Sequence, residues 1–192
     1  PKTLTERGGQ LARLPIHPRL GVVILRGKEL GVLESAAAAA ALASERDPWK
    51  NEHAVQGDLL ERISMLDQRG RTGADLRSLA RVRQVRDQLV RIGRRLPGSQ
   101  GNVPFEGQSK VLDALISGFP DRVGKRRTPL EGAVILSNGG GAQLGRGVAG
   151  VDCFVAVVMT AGPRGKPPLI RVTAQLASED LPSSWEEEVW FD

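Results

Sequence analysis

One segment, residues 74–96, constrains the fold more than any other part of the chain. Its apolar residues return at steps of three and four, the spacing of one face of an α-helix: Leu79, Val82, Val85, Leu89, Ile92 and Leu96. Asp75 near the start and Arg94 and Arg95 in the last turn suit the helix dipole, and Pro97-Gly98 ends the pattern. The spacing therefore predicts a long amphipathic helix.

A polar stripe recurs at the same steps on another face of this predicted helix: Arg77, Arg81, Gln84, Gln88, Arg91 and Arg95. The segment holds seven arginines and two acidic residues, an excess of five positive charges. A row of guanidinium groups on a rigid helix is a suitable surface for contacting phosphates. The alternative is the solvated outer face of a helical bundle, which often carries charge of either sign. The helix alone leaves both interpretations open.

The composition narrows the class of protein and its partners. The formal net charge of +5 and the pI near 10.0 favour an anionic partner, nucleic acid first and an acidic membrane surface second. Cys153 is the single cysteine, so no internal disulfide can form, which fits a reducing cytoplasm. No apolar run is long enough to span a membrane, and no signal peptide is visible. We therefore expect a cytoplasmic location and no membrane partner.

The hydrophobic patterns predict an α+β protein, a helical bundle followed by a small β-barrel. Five helices are predicted first, at about 4–14, 18–26, 28–44, 59–66 and 74–96, with Thr5 and Asp58 as N-caps. A further helix at 109–119 precedes short, glycine-punctuated strands at about 121–127, 132–137, 142–144, 151–160 and 168–176. Residues 185–191 could add a final strand.

Motifs for catalysis or cofactor binding are missing from the sequence. There is no GxxxxGK[ST] phosphate loop, and the glycine-rich stretch at 139–147 lacks the features of a nucleotide site. His17, His53 and Cys153 are too far apart in sequence to suggest a zinc site. Cys153 lies in a strand pattern, where it is expected to be a small buried residue instead of a nucleophile. The residues therefore predict a non-catalytic chain without cofactor or metal.

Several stretches of the chain carry a family resemblance. Residues 4–31, LTERGGQLARLPIHPRLGVVILRGKELG, resemble the pattern that follows the second RecA-like domain in the bacterial HrpB-type ATP-dependent helicases of the DEAH/RHA group. LASERDP at 42–48, LDALISGFPDRVGKRR at 112–127 and GAVILSNGGGAQL at 132–144 resemble later family segments, in the same order. Two positions depart from the pattern: Ala133 replaces an aromatic residue and Gly140 replaces an arginine. The resemblance covers essentially the whole chain.

This resemblance implies a domain organisation and a role. Residues 1–20 would end a degenerate winged helix, residues 21–98 would form a helical ratchet-type domain, and residues 99–192 would form a leading helix with an OB-like barrel. The RecA-like motor domains would precede position 1, and ATP and Mg would bind there and not in this chain. The first residue is Pro1 and not methionine, so we expect a piece of a longer protein, which the resemblance implies is an ATP-dependent RNA helicase.

The leading hypothesis is an accessory portion that clamps single-stranded RNA or DNA while the motor domains hydrolyse ATP. The predicted phosphate-contacting residues are Arg77, Arg81, Arg91, Arg95, Arg122, Lys125, Arg126, Arg127 and Arg171. Arg171 comes from the resemblance, because DEAH-type OB domains often carry an arginine in a similar strand; otherwise it is an exposed strand residue. The acidic end at 179–192 contains no Lys or Arg and should not line the path.

Two alternatives remain at this point. The chain could be a protein–protein scaffold that docks the RecA-like domains of the same parent chain without touching nucleic acid. It could also be a stand-alone OB-fold binder with no motor. Binding to phosphates weakens steeply with salt, whereas apolar docking does not, so the salt dependence separates the first two. The sequence leaves the choice between RNA and DNA open.

Overall fold

The computed structural model describes residues 4–49, 58–68, 73–98, 107–126, 132–145, 148, 152–177 and 180. The predicted strand at 185–191 lies outside these residues. Six α-helices come first: α1 (Glu6–Leu11), α2 (Pro18–Glu29), α3 (Leu33–Ser44), α4 (Leu59–Met65), α5 (Leu76–Arg95) and α6 (Gln108–Gly118). Five strands follow: β1 (Val123–Arg126), β2 (Ala133–Leu136), β3 (Gly141–Leu144), β4 (Cys153–Thr160) and β5 (Leu169–Gln175). The predicted α+β class is confirmed.

The chain divides into two compact units. The helical unit comprises residues 1–50 and 62–118, and the barrel unit comprises residues 51–61 and 119–192. The compact division after Gly118 differs from the predicted domain boundary at 98/99, because α6 packs within the helical unit. Asp113 of α6 accepts hydrogen bonds from Arg26 of α2, and a Cβ on Gly118 would lie 2.5 Å from Val23. The winged-helix, ratchet-type and OB-like assignments stay predictions.

Helix α2 is the centre of the helical unit and packs against α3 and α6. A Cβ added to Gly27 would lie 2.3 Å from the Cβ of Ala36, so the absence of a side chain on Gly27 lets α2 and α3 approach closely. The predicted boundary between these two helices was wrong: α2 continues to Glu29 and α3 begins only at Leu33. The turn falls at Gly31, whose φ of +79° suits a residue without a side chain.

Helix α5 has the predicted amphipathic character. Asp75 is its N-cap, and its Oδ1 accepts the Ser78 N–H at 2.9 Å. Its buried residues are Leu79, Val82, Leu89, Val90 and Gly93, which form one face toward α3 and α2. The predicted caps Thr5 and Asp58 are also present, accepting the N–H groups of Gly8 and Glu61. No helix in the described parts of the chain is long and apolar enough to cross a membrane.

The five strands close into a barrel in the order β1-β2-β3-β5-β4. Neighbouring strands are antiparallel except β3 and β5, which pair in parallel. The barrel core consists of alternating inward residues: Val134, Leu136, Ala142, Leu144, Phe154, Ala156 and Ile170. Gly124 of β1 makes room for the Phe154 ring, since a Cβ there would lie 2.7 Å from it. The predicted small barrel is confirmed.

Candidate nucleic-acid interface

The polar stripe of α5 is exposed along its whole length. Its members, all exposed, are Arg77, Arg81, Gln84, Gln88, Arg91 and Arg95. They lie on the side of the helix opposite Leu79, Val82 and Gly93, so the residues that pack the bundle and those that face solvent are separated. From Arg77 to Arg95 the stripe runs for about 27 Å along the helix axis. This set of six residues is called the α5 stripe below.

The four arginines of the α5 stripe are only lightly engaged. The side chains of Arg77 and Arg95 form no hydrogen bond or ion pair with any residue that the structure describes. Arg81 is 58% exposed, and its Nε lies 3.4 Å from Oε1 of Glu45. Arg91 Nε donates to the carbonyl oxygen of Asp87 at 3.3 Å, one turn back on its own helix. Exposed pairs of this kind contribute little stability, so a phosphate can compete for these groups.

The arginines outside the stripe hold the helix to its neighbours. Arg83 Nε donates to the carbonyl oxygen of Leu66 at 2.6 Å. Arg86 is half-buried and bonds to Asp67 at 2.8 Å and to Asp87 at 2.9 Å. Burial opposes the charge of Arg86, but the hydrogen bonds to Asp67 and Asp87 outweigh it, and the pKa of Arg86 is raised. Arg83 and Arg86 therefore serve packing and not phosphate contact.

A groove of about 560 Å³ lies beside the stripe, between α3, α4 and α5. Its charged lining residues balance, with three acids and three arginines: Glu34, Asp67, Asp87, Arg86, Arg91 and Arg94. Arg94 is paired with Glu34 across the groove wall at 2.6 Å. Because the charges cancel, this groove lacks the positive potential that attracts a phosphate backbone.

The predicted basic cluster at the start of the barrel is divided among different environments. Lys125 is exposed, while Arg126, the next residue on β1, is half-buried, as strand alternation requires. Arg122 is half-buried, with its guanidinium 5.3 Å from the centre of the Phe119 ring. Arg127 lies outside the described residues. Among Arg122, Lys125 and Arg126, Lys125 is therefore the residue most exposed to solvent.

Arg171 lies at an irregularity of the barrel. On β4, Met159 pairs with Ile170 and the adjacent Val158 pairs with Val172, so no β4 residue lies opposite Arg171. Such a bulge re-aims the side chain of the extra residue. The Arg171 side chain is exposed and makes no hydrogen bond or ion pair within the described part of the chain. It is available to a ligand, and its predicted role in nucleic-acid binding stays a prediction.

Two exposed cations of the barrel unit were not among the predicted site residues. Arg164 and Lys166 lie in the turn between β4 and β5, and Lys166 N–H donates to the carbonyl oxygen of Pro163 at 2.8 Å. Gly165, at φ +81°, completes this tight turn. A sequence signal was available: residues 153–178 contain Arg164, Lys166 and Arg171 but no acidic residue.

The groups considered for chemistry in the sequence are His17, His53 and Cys153. Among the described residues, no cluster of three or more His, Cys, Asp or Glu side chains could hold a metal. His17 caps α2 by accepting the Arg19 N–H, and His53 lies outside the described residues. Cys153 is half-buried, and burial raises the pKa of its thiol. A raised pKa lowers the thiolate fraction and therefore the reactivity of a cysteine.

No protein-family model and no curated protein matches this sequence. Comparison of the fold with solved structures does find matches. A crystal structure of the DExH-box NTPase HrpB of Escherichia coli superposes with a TM-score of 0.66 at 19% identity over 95% of this chain. The chain has the fold of part of HrpB. A second crystal structure, of the DEAH/RHA helicase HrpB of Escherichia coli, gives a TM-score of 0.65 at 22% identity over 93% of the chain.

The match covers only 20% of the HrpB chains. The chain therefore spans about a fifth of the length of HrpB. The resemblance to HrpB-type helicases drawn from the sequence motifs is confirmed as a shared fold.

Proposed function

We propose that this chain is an accessory portion of a DEAH-type helicase that contacts single-stranded nucleic acid through the α5 stripe. One observation carries the proposal: on a chain with the fold of part of HrpB, the stripe arginines face solvent while the off-stripe Arg83 and Arg86 are bonded to Leu66 and Asp67, directly after α4. Contacts from the stripe arginines to phosphates would position a strand without reading its sequence. The catalytic step, ATP hydrolysis with Mg, would belong to RecA-like domains absent from this chain.

The barrel supports the same proposal. A closed five-stranded barrel with the order β1-β2-β3-β5-β4 is compatible with an OB-like domain, a fold that binds oligonucleotides on its strands and on the loop between its fourth and fifth strands. Arg171, Arg164 and Lys166 lie on that part of the barrel and Lys125 lies on β1. These four cations are the proposed barrel contacts.

The test compares two variants that remove the same charge. Arg77→Ala/Arg95→Ala removes the two stripe arginines whose side chains have no partner among the described residues. The control, Arg7→Ala/Arg13→Ala, removes two exposed arginines, one within α1 and one shortly after it. Binding of a fluorescent single-stranded oligonucleotide is followed by anisotropy across a salt series. We expect micromolar or weaker binding by the unaltered chain, and a salt slope reduced by about 1.4 in the stripe variant only, since each single-strand phosphate contact contributes about 0.7.

Equal effects of the two variants would show that oligonucleotide binding depends only on net charge. That result would contradict a direct contact between the α5 stripe and the nucleic acid. The accessory role has its own test. The reading frame upstream of Pro1 should encode a GxxxxGK[ST] loop and a DExH box, and their absence would contradict a link to a motor.

A second function, docking of the motor domains, is favoured by the charge-balanced groove and by Leu76, which is 76% exposed at the start of α5. A docked motor domain that covered this side chain would gain the free energy of removing its apolar surface from water. Docking predicts that separately produced RecA-like domains of the parent bind this chain with little salt dependence, and that Leu76→Ser weakens this binding. Binding that is lost at moderate salt would argue against it.

A further inference from the structure

The centre of the α5 stripe holds two glutamines, with a pair of arginines on either side. Gln84 and Gln88 lie one helical turn apart, between Arg81 and Arg91. Both are exposed, and neither side chain makes a hydrogen bond with any residue that the structure describes. They are uncharged groups in the middle of a cationic row, and no contact within the described part of the chain accounts for them.

The chemistry of a carboxamide differs from that of the arginines around it. A guanidinium group only donates hydrogen bonds and suits phosphate oxygens, which only accept. A carboxamide donates from its NH₂ and accepts at its oxygen, so it suits a partner that also does both. The ribose 2′-hydroxyl is such a group, and it is the feature that lets a protein distinguish RNA from DNA.

We propose that Gln84 and Gln88 hydrogen-bond to ribose 2′-hydroxyls and give the stripe a preference for RNA over DNA. The inference rests on the proposed function of the stripe. If the arginine pairs at the two ends hold phosphates, the strand's backbone runs along the helix, and the groups between successive phosphates are sugars. Gln84 lies about 4.5 Å along the axis from Arg81, and Gln88 lies about 4.5 Å from Arg91. Both glutamines therefore face those sugars.

Two other roles for the glutamines predict different results. If they donate to phosphates, as glutamines also do, they favour RNA and DNA equally. If they read base edges, where a glutamine pairs best with adenine, binding depends on the base and not on the sugar.

The experiment measures affinity for three uniform oligonucleotides of about 12 nucleotides, a length suited to such sites. These are oligouridine, its 2′-deoxyuridine counterpart and its 2′-O-methyl counterpart. We expect the unaltered chain to bind the RNA about tenfold more tightly than the deoxy strand, the effect of about two hydrogen bonds. Gln84→Ala/Gln88→Ala should bind the RNA about tenfold more weakly. Its affinity for the deoxy strand, and the salt slopes for the RNA and the deoxy strand, should stay unchanged.

A variant that adds positive charge tests whether the two glutamines lie next to the bound strand. If the glutamines face the strand, Gln84→Lys/Gln88→Lys should tighten binding of all three oligonucleotides, steepen the salt slopes and abolish the RNA preference. All four substitutions are at exposed positions, and thermal unfolding by circular dichroism verifies that each variant is folded.

Several outcomes would overturn the inference. They are equal RNA and deoxy affinities for the unaltered chain, an equal loss for both strands in the alanine variant, or no effect of the lysine variant. Failure of the proposed function gives a different result. In that case Arg77→Ala/Arg95→Ala would leave the salt slope of binding unchanged for all three oligonucleotides.

Discussion

The Nζ atom of Lys28 lies 3.0 Å from the carbonyl oxygen of Gly93, and it also donates to the carbonyl oxygen of Leu96. Lys28 is only 3% exposed, so a buried ammonium group from α2 closes the C-terminal end of α5. The last carbonyl groups of a helix lack partners within the helix, and a cation is favourable there because of the helix dipole. Lys28 therefore fixes the end of α5 that carries Arg91 and Arg95.

Replacing Lys28 tests this capping role. Lys28→Met keeps most of the apolar side chain but leaves the two carbonyl groups without their donor, so we expect a loss of about 1–3 kcal/mol in unfolding free energy. Urea unfolding followed by far-ultraviolet circular dichroism measures it. The exposed Lys166→Met provides the control and should change stability little. An unaltered urea midpoint in Lys28→Met would mean that these hydrogen bonds contribute nothing.

The close contact of α2 with α3 gives a second prediction. Gly27→Ala places a methyl group 2.3 Å from the Cβ of Ala36 and should destabilise the helical unit by about 1–2 kcal/mol, although alanine is the better helix former. Combining it with Ala36→Gly removes the clash. The double variant should be more stable than the sum of the two single effects predicts, which a double-mutant cycle measures. Strict additivity would show that the helices adjust without strain.

The N-cap of α5 predicts a dependence on pH. The Ser78 N–H lowers the pKa of Asp75 below its ordinary value of 3.8, with smaller contributions that include the charge of Arg46. A carboxyl whose pKa is lowered on folding stabilises the fold above its unfolded pKa and loses this effect as pH falls through the folded pKa. Asp75→Ala should therefore melt at a lower temperature than the unaltered chain at neutral pH. The difference should shrink below about pH 3.8, and a constant difference down to pH 2 would contradict the role of the charge.

The arginines that tie α5 to its neighbours should affect stability and not binding. Arg86→Ala breaks the hydrogen bonds to Asp67 and Asp87 and should lower stability by about 1–2 kcal/mol. Arg94→Ala removes a 60% exposed group and should cost about 0.5 kcal/mol or less. Urea unfolding measures both. At temperatures where Arg86→Ala is folded, its salt slope for oligonucleotide binding should equal that of the unaltered chain.

The sequence predicted best those features that depend on residues close together in the chain. The three- and four-residue spacing on α5 separated Arg77 and Arg95, which face solvent, from Leu79 and Leu89, which pack. The N-caps Thr5 and Asp58 depend on residues three positions away, and they too were predictable. The closed barrel followed from short β-prone runs separated by glycine turns.

What the sequence could not supply depends on distant contacts. Lys28 was placed at the start of the third helix, because nothing local shows that its ammonium group would cap α5, 65 residues away. The run from Arg122 to Arg127 looked like one basic patch, but strand alternation gives Lys125 and Arg126 different exposure. Arg164 and Lys166 were overlooked because their turn was interpreted only as a connection between two strands.

The closure of the five strands limits how the barrel can meet a partner. In an open sheet, the outermost strand offers unpaired N–H and C=O groups that can recruit a strand from another molecule. In this barrel each described strand has a neighbour on both sides, with β1 and β4 completing the ring. Recognition by the barrel must then come from side chains and turns, so its selectivity can be altered by point substitutions without disturbing the backbone pairing.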